Sequence, residues 1–308
     1  MRKNLLIGFI VTFTGSILFS TKAIIVKKAF AELHIDALTL LTIRMIFSLP
    51  FYIAAAWFIS NKKTNIFLTT RQWTRLIVLG LFGYYLSSFL DFVGLQYISA
   101  GLERLILFLY PTFVLLINRF FFKQKITRIQ QWALMLTYTG ILIAYAGELI
   151  IDISNPNFYW GSLLIFFCSI TFAIYISGSG KLIPVIGAAK FTAYAMLAAT
   201  TGIFVHFALK NNLQLPLFAA SGYWQYGIIL AIVATVIPTF LISFGLNRIG
   251  SNNVAIISSI GPISTIIQAH IFLGEHIQPA QIVGTILVVA GVVLIGWKSS
   301  LPKKAEII

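Results

Sequence analysis

The sequence predicts an all-α integral membrane protein of about ten transmembrane helices, arranged as two inverted five-helix repeats. Three observations carry this expectation: a composition too apolar for water, a series of apolar runs of spanning length, and a self-match along the chain. Of 308 residues, 59% are hydrophobic and only 10% charged, and the mean hydropathy is +0.93. Soluble domains carry roughly 25% charged residues, and no water-soluble globule of this size could hide so much apolar surface. A helix needs about 20 residues to cross about 30 Å of hydrocarbon, so the chain has room for about ten.

The apolar runs fall at 4–25, 38–59, 74–97, 101–121, 130–149, 159–178, 188–209, 223–245, 253–273 and 279–298. The first follows Arg2-Lys3 and reaches Lys22 where a cleavable signal peptide would need small residues. The second carries Arg44 two turns in and ends near Trp57. The third follows Trp73 and holds Tyr84, Ser87, Ser88 and Asp91. The fourth opens on Glu103 and Arg104, with Tyr110, Pro111 and Asn118 beyond. Trp132 opens the fifth, and the sixth holds Trp160, Cys168 and Tyr175. The seventh holds Tyr194 and His206, and Trp224 opens the eighth. The ninth carries Ser258, Ser259, Gly261-Pro262, Ser264, Thr265, Gln268 and His270, and the tenth ends on Trp297. All six tryptophans stand near span ends, where interfacial aromatics belong.

Basic residues set the orientation. With the N-terminus in the cytoplasm, inner segments hold Arg2, Lys3, Lys62, Lys63, Arg71, Arg75, Lys123, Lys125, Arg128, Lys181, Lys190, Arg248, Lys298, Lys303 and Lys304. Outer segments hold Lys27, Lys28 and Lys210. Such a bias predicts both termini on the cytoplasmic side of the cytoplasmic (inner) membrane. Acidic Glu32, Asp36, Glu148, Asp152 and Glu275 fall outside. The net charge of +14 is thus a topology signal rather than a nucleic-acid surface, and no nucleic-acid partner is expected. The single cysteine, Cys168, rules out an intrachain disulfide.

Sliding the chain along itself aligns 94–145 with 245–296 without a gap. Gly94-Leu95 falls on Gly245-Leu246, Ile98 on Ile249, Pro111 on Pro262, Phe121 on Phe272, Ile126 on Ile277, Gln130 on Gln281 and Gly140 on Gly291. Proline inside a helix frees a carbonyl and strains the turn, so two prolines at one relative position argue for duplication. The expected units are 1–150 and 151–308, and Pro111 and Pro262 are candidate helix hinges. Five spans is an odd number, so the second unit must enter the membrane inverted. Inverted repeats are a recurrent design of secondary transporters, whose halves rock around a central site.

These paired segments resemble the EamA modules of the drug/metabolite transporter superfamily. The likeness rests on G-L-Q-Y-I-S-A at 94–100 with Pro111 downstream, and on G-E-H-I-Q-P-A-Q-I-V-G at 274–284 followed by Gly291. It covers essentially the whole chain. The first copy departs from it, with Lys123-Gln124 where the second has Gly274-Glu275. The resemblance implies a ten-helix carrier of metabolites, commonly amino acids or related small organics, often working outward.

Charged side chains inside a span are costly and so mark function or pairing. Lys22, Arg44, Asp91, Glu103 and Arg104 are the candidates, all in the outer half of the first unit. Structural ion pairs and snorkelling to the interface are the plain alternatives. Asp91 can pair with Lys22 or Arg44. Adjacent Glu103 and Arg104 point about 100° apart and are not expected to neutralise each other. Tyr84, Ser87, Ser88 and Asp91 share one helical stripe, which should face the bundle interior. One unmatched cation, Lys22 or Arg44, would suit a substrate carboxylate. Tyr110, Tyr175, Tyr194 and Gln268 complete the candidates for substrate or coupling contact, with local packing the alternative for each.

The chain carries no G-x-x-x-x-G-K-[ST] loop, H-E-x-x-H, Cys/His cluster or G-x-S-x-G, so no enzyme activity, metal or cofactor is expected. The reading is a secondary transporter moving a small-molecule substrate through the lipid bilayer by alternating access. A coupling proton or counter-substrate, and the oligomeric state, stay open. The alternatives are an exporter of lipophilic cations or drugs, and a non-transporting scaffold or membrane enzyme.

Overall fold

The computed structural model describes residues 2–61, 66–146, 156–211, 221–273 and 277–300, and all regular structure among them is helical. Lys62, Lys63, Glu148, Asp152, Gly274, Glu275, Lys303 and Lys304 lie outside the described residues, as do the side chains of Arg2, Lys3, Trp297 and Lys298. The helices are α1 (Arg2–Leu33), α2 (Ala37–Ser60), α3 (Thr70–Gly80), α4 (Ser87–Gly94), α5 (Ala100–Leu107), α6 (Tyr110–Phe120) and α7 (Arg128–Ala144). They continue with α8 (Phe158–Ile186), α9 (Ala188–Asn211), α10 (Ser221–Ala231), α11 (Ile237–Ile257), α12 (Ile260–Leu273) and α13 (Pro279–Ser300). Two π-helical segments, Leu81–Leu86 and Ile232–Val236, join α3 to α4 and α10 to α11.

Seven stretches among the described residues are long and apolar enough to cross a bilayer: Asn4–Leu33, Ala37–Ser60, Thr70–Gly94, Ala100–Phe120, Phe158–Ile186, Ala188–Lys210 and Gly222–Ile257. Ile260–Phe272 and Pro279–Ile295 are shorter apolar helices. The chain is therefore a multi-pass membrane protein. The difference from the expected spans has local causes. Gly222–Ile257 takes in the eighth run and the start of the ninth, but Gly250 has non-helical angles (φ 75°, ψ 165°), so two helices meet there at a kink, between the two expected runs. That left-handed φ suits glycine alone. Likewise α1 runs on to Leu33 rather than stopping at 25, so Lys27 and Lys28 lie on the helix rather than in a loop.

Matched local features recur in the two halves of the chain. The π segments begin at Leu81 and Ile232. The Thr127 N–H donates to Gln130 Oε1 (3.0 Å) at the start of α7, and the Gln278 N–H to Gln281 Oε1 (2.9 Å) at the start of α13. Just before the matched prolines, the helix breaks at Phe108 (ψ 5°) and at Ser258 (ψ −5°).

The packing repeats as well. Gly140 of α7 lies against Gly284 of α13 so closely that a Cβ on Gly284 would come 2.3 Å from the Gly140 carbonyl oxygen. Gly291 meets Ala133 further along, so the two helices run antiparallel. Small residues give membrane helices this close approach, because apolar burial alone does not drive them together in lipid. Helices α2 and α9 also cross antiparallel, with Thr200 Oγ1 donating to Met45 Sδ (3.7 Å) and Ser60 bonded to the Tyr194 hydroxyl (2.8 Å). In the first half, Gly8, Thr12 and Gly15 of α1 face Ile249, Gly245 and Ile242 of α11. The counterpart is α8, whose Gly161 and Tyr175 face Gly94 and Gly83.

Large apolar residues such as Leu6, Ile10, Phe51, Phe58, Phe120, Phe167 and Ile286 stand exposed on the outside, where lipid would be their solvent. Trp57, Trp132, Trp160 and Trp224 are exposed near helix ends, as interfacial aromatics are.

Candidate functional site

All five expected intramembrane charges are buried, and four of them form one cluster. Helix α1 brings Lys22, α4 brings Asp91, and α5 brings Glu103 and Arg104. The α5 turn starts cleanly because Ser99 caps it, its Oγ accepting from the Leu102 N–H (3.0 Å). Lys22 Nζ sits 2.6 Å from Asp91 Oδ2. Arg104 Nε lies 3.2 Å from Glu103 Oε2, and Arg104 Nη2 donates to the Ser20 carbonyl (3.0 Å). The expectation that Glu103 and Arg104 would not neutralise each other is therefore corrected. Helix geometry separates their Cβ directions, but the long arginine arm reaches back across the gap. The Asp91 and Glu103 carboxyls also meet, so the cluster holds two acids, each with its own cation.

Arg44 stands apart from this group. It is 2% exposed, its Cζ lies 5.0 Å from the Phe92 ring centroid, and no carboxylate is within ion-pair distance among the described residues. Asp91 is close by but engaged by Lys22. Two of its donors, Nε and Nη2, have no hydrogen-bond partner. The phenols of Tyr52 and Tyr84 are near it, and Tyr175 donates to the Tyr84 hydroxyl (3.1 Å) with their rings edge to face at 4.7 Å. Tyr84 belongs to the first π segment, and such bulges recur at functional sites because they re-aim side chains. The stripe of Tyr84, Ser87, Ser88 and Asp91 is buried throughout.

A cavity of about 40 Å³ lies where the two halves meet, lined by Arg104, Tyr110, Ser16, Ser258, Phe172 and Gly261 among others. It brings polar groups of both halves to one small space. Tyr110 has a structural task at its wall. Beyond Ala255 the helix breaks, the Ser259 N–H turning to the Ile256 carbonyl, and the Tyr110 hydroxyl donates to the Ala255 carbonyl thus freed (3.3 Å). Tyr145 similarly donates to the Pro262 carbonyl (2.7 Å). Pro111 and Pro262 stand just past the two helix breaks. Gln268 ties α12 to α1, donating to Ser20 Oγ (3.2 Å) as well as to Ser264 Oγ (2.7 Å).

Tyr194 is not brought to either cluster. It sits in the second turn of α9 beside Ser60 at the end of α2, its ring edge-on to Trp73. Two residues escaped the sequence reading. Tyr52, fully buried and bonded to Thr239 (3.0 Å), is one isolated tyrosine in an apolar run and gives no pattern. Ser20 meets Arg104 through its backbone carbonyl, an acceptor that every residue carries and that no side-chain pattern marks.

The family model of the EamA-like transporter family matches residues 6–146 and again 159–297, so the chain belongs to that family of membrane transporters. Among its relatives is the uncharacterized transporter YcbK of Bacillus subtilis (strain 168), 30% identical over 296 residues, covering 90% of this chain and 88% of that one. Another is the uncharacterized transporter YyaM of the same organism, 24% identical over 227 residues and 74% of each chain. A protein of known crystal structure shares the fold with a TM-score of 0.75 at 16% identity, covering 97% of this chain and 98% of that one.

Proposed function

We propose that the protein is a secondary carrier that moves a small organic metabolite, such as an amino acid or a related solute, outward across the cytoplasmic membrane by alternating access. The observation that carries this reading is the set of buried charges and the cavity between the two halves of an otherwise apolar bundle. A polar centre inside a membrane bundle marks a solute or ion path. On this reading the chain makes ten crossings in two inverted units, 1–150 and 151–308, with both termini inside. The antiparallel pairing of α7 with α13 and of α2 with α9 supports inversion, since each pairs equivalent helices of the two halves. The matched breaks before Pro111 and Pro262 support a rocking motion about those turns.

An exporter of lipophilic cations would need Asp91 and Glu103 unpaired. Lys22 and Arg104 occupy them, which weighs against that alternative. Purified protein in liposomes decides between carrier and scaffold. Preloaded with a metabolite panel, carrier vesicles accumulate labelled solute by counterflow; a flat response across the panel removes the proposal.

A further inference from the structure

We infer that Arg44 is the anion-recognition group of this carrier, taking the carboxylate of the transported solute side-on through Nε–H and Nη2–H. The inference rests on the carrier reading above and names the substrate class of its site. Of the five charges buried in the first half, four stand within ion-pair distance of an opposite charge: Lys22 with Asp91 and Arg104 with Glu103. Arg44 remains a cation at 2% exposure with no carboxylate in contact among the described residues. A buried unpaired charge is strongly destabilising, so the site is complete only when an anion joins it.

The geometry of the vacant donors selects the kind of anion. Nε and Nη2 point from one edge of the guanidinium plane, side by side, and both lack partners. That edge matches the two oxygens of one carboxylate, the planar fork-to-fork contact for which arginine is suited and lysine is not. Phe92 covers one face of the guanidinium at 5.0 Å. The nearby phenols of Tyr52 and Tyr84 add hydroxyl groups beside an aromatic wall. An organic acid with a compact apolar or aromatic body fits that setting better than a hydrated inorganic ion. Reaching so buried a group requires the helices around it to part, which alternating access supplies.

The test is thermal unfolding of the full-length protein in detergent with sodium butyrate, benzoate, phenylacetate and alanine, each beside its primary amide, with sodium chloride as ionic control. A ligand that binds the folded form alone raises its melting temperature by mass action. At least one acid should raise it while its amide and chloride do not. R44K, which keeps the charge but loses the fork, should weaken that acid's apparent affinity at least tenfold, and R44Q should abolish it. Equal shifts from acid and amide, an equal shift from chloride, no shift from any acid, or an acid shift retained in R44Q would each overturn the assignment. R44K keeps the buried charge, so if R44Q folds poorly the loss of affinity in R44K still tests the assignment. Counterflow of the same acid separates the two readings. Arg44-dependent binding without counterflow removes the carrier and keeps the anion site; counterflow whose KM is unchanged in R44Q removes the anion site and keeps the carrier.

Discussion

Lys22 and Asp91 show how a buried pair constrains its own mutants. Removing one partner of such a pair leaves an uncompensated charge and costs about 3–5 kcal/mol, whereas removing both costs much less. Lys22→Met and Asp91→Leu should each lower the melting temperature sharply, and the double variant should melt well above either single one. Additive losses in that cycle, read by thermal unfolding in detergent, would show that the 2.6 Å contact contributes no coupling. Tyr110→Phe probes a smaller effect. It leaves the Ala255 carbonyl without its cap, for a loss of about 1–3 kcal/mol with the cavity otherwise intact. At this scale the sequence was half legible. A charge within an apolar run announces itself whatever its partner, so all five candidates were visible and all five are buried. Pairing depends on how each helix is rotated, and rotation leaves no mark in a run that is apolar on every side. That is why Arg44 and Lys22 were interchangeable on paper, and why Tyr52 and Ser20 were missed.

Glycine contacts govern the elements. At Gly284 a methyl group would collide with backbone, not with a side chain that can swing away. Gly284→Ala and Gly140→Ala should therefore each push α7 and α13 apart, at about 1–3 kcal/mol as overpacking substitutions do. Gly261→Ala is the contrast: its added Cβ would find nothing nearer than Ser20 Cβ at 3.8 Å. That variant should keep its melting temperature within a degree or two, since alanine also suits a helix better than glycine. Equal damage from all three, in side-by-side melts, would mean that close backbone approach is not what holds α7 to α13. Hydropathy marked the helices well because lipid demands one apolar run per crossing. It falls short at the C-terminal end of α1, where Lys27 and Lys28 sit on the helix rather than ending it. The π segments were invisible, since one extra residue in a turn changes hydrogen bonding without changing composition.

For the whole molecule, the orientation is open to direct measurement. With Cys168 replaced by serine, single cysteines at His34 and Asn157 should react with an impermeant maleimide in intact cells. Cysteines at Asn61 and Gln124 should react only after permeabilisation. The reverse pattern would turn the protein over, and labelling of all four from one side would break the inverted arrangement itself. The expectation of this sidedness rests on the basic residues, because translocation leaves lysine and arginine behind on the cytoplasmic face.

The buried charges bear on one more property of the assembly. Two identical inverted units would make the inward-open and outward-open forms equivalent by symmetry and equal in energy. Here the matched π turns, capping bonds and proline breaks keep the skeleton nearly balanced, while Lys22, Arg44, Asp91, Glu103 and Arg104 all belong to one unit. Opening toward the two sides of the membrane hydrates that group to different extents. On the inverted arrangement proposed above, the resting preference between the two forms is therefore set by a handful of side chains. Neutralising them in pairs would change which way the empty protein faces without touching the hinges.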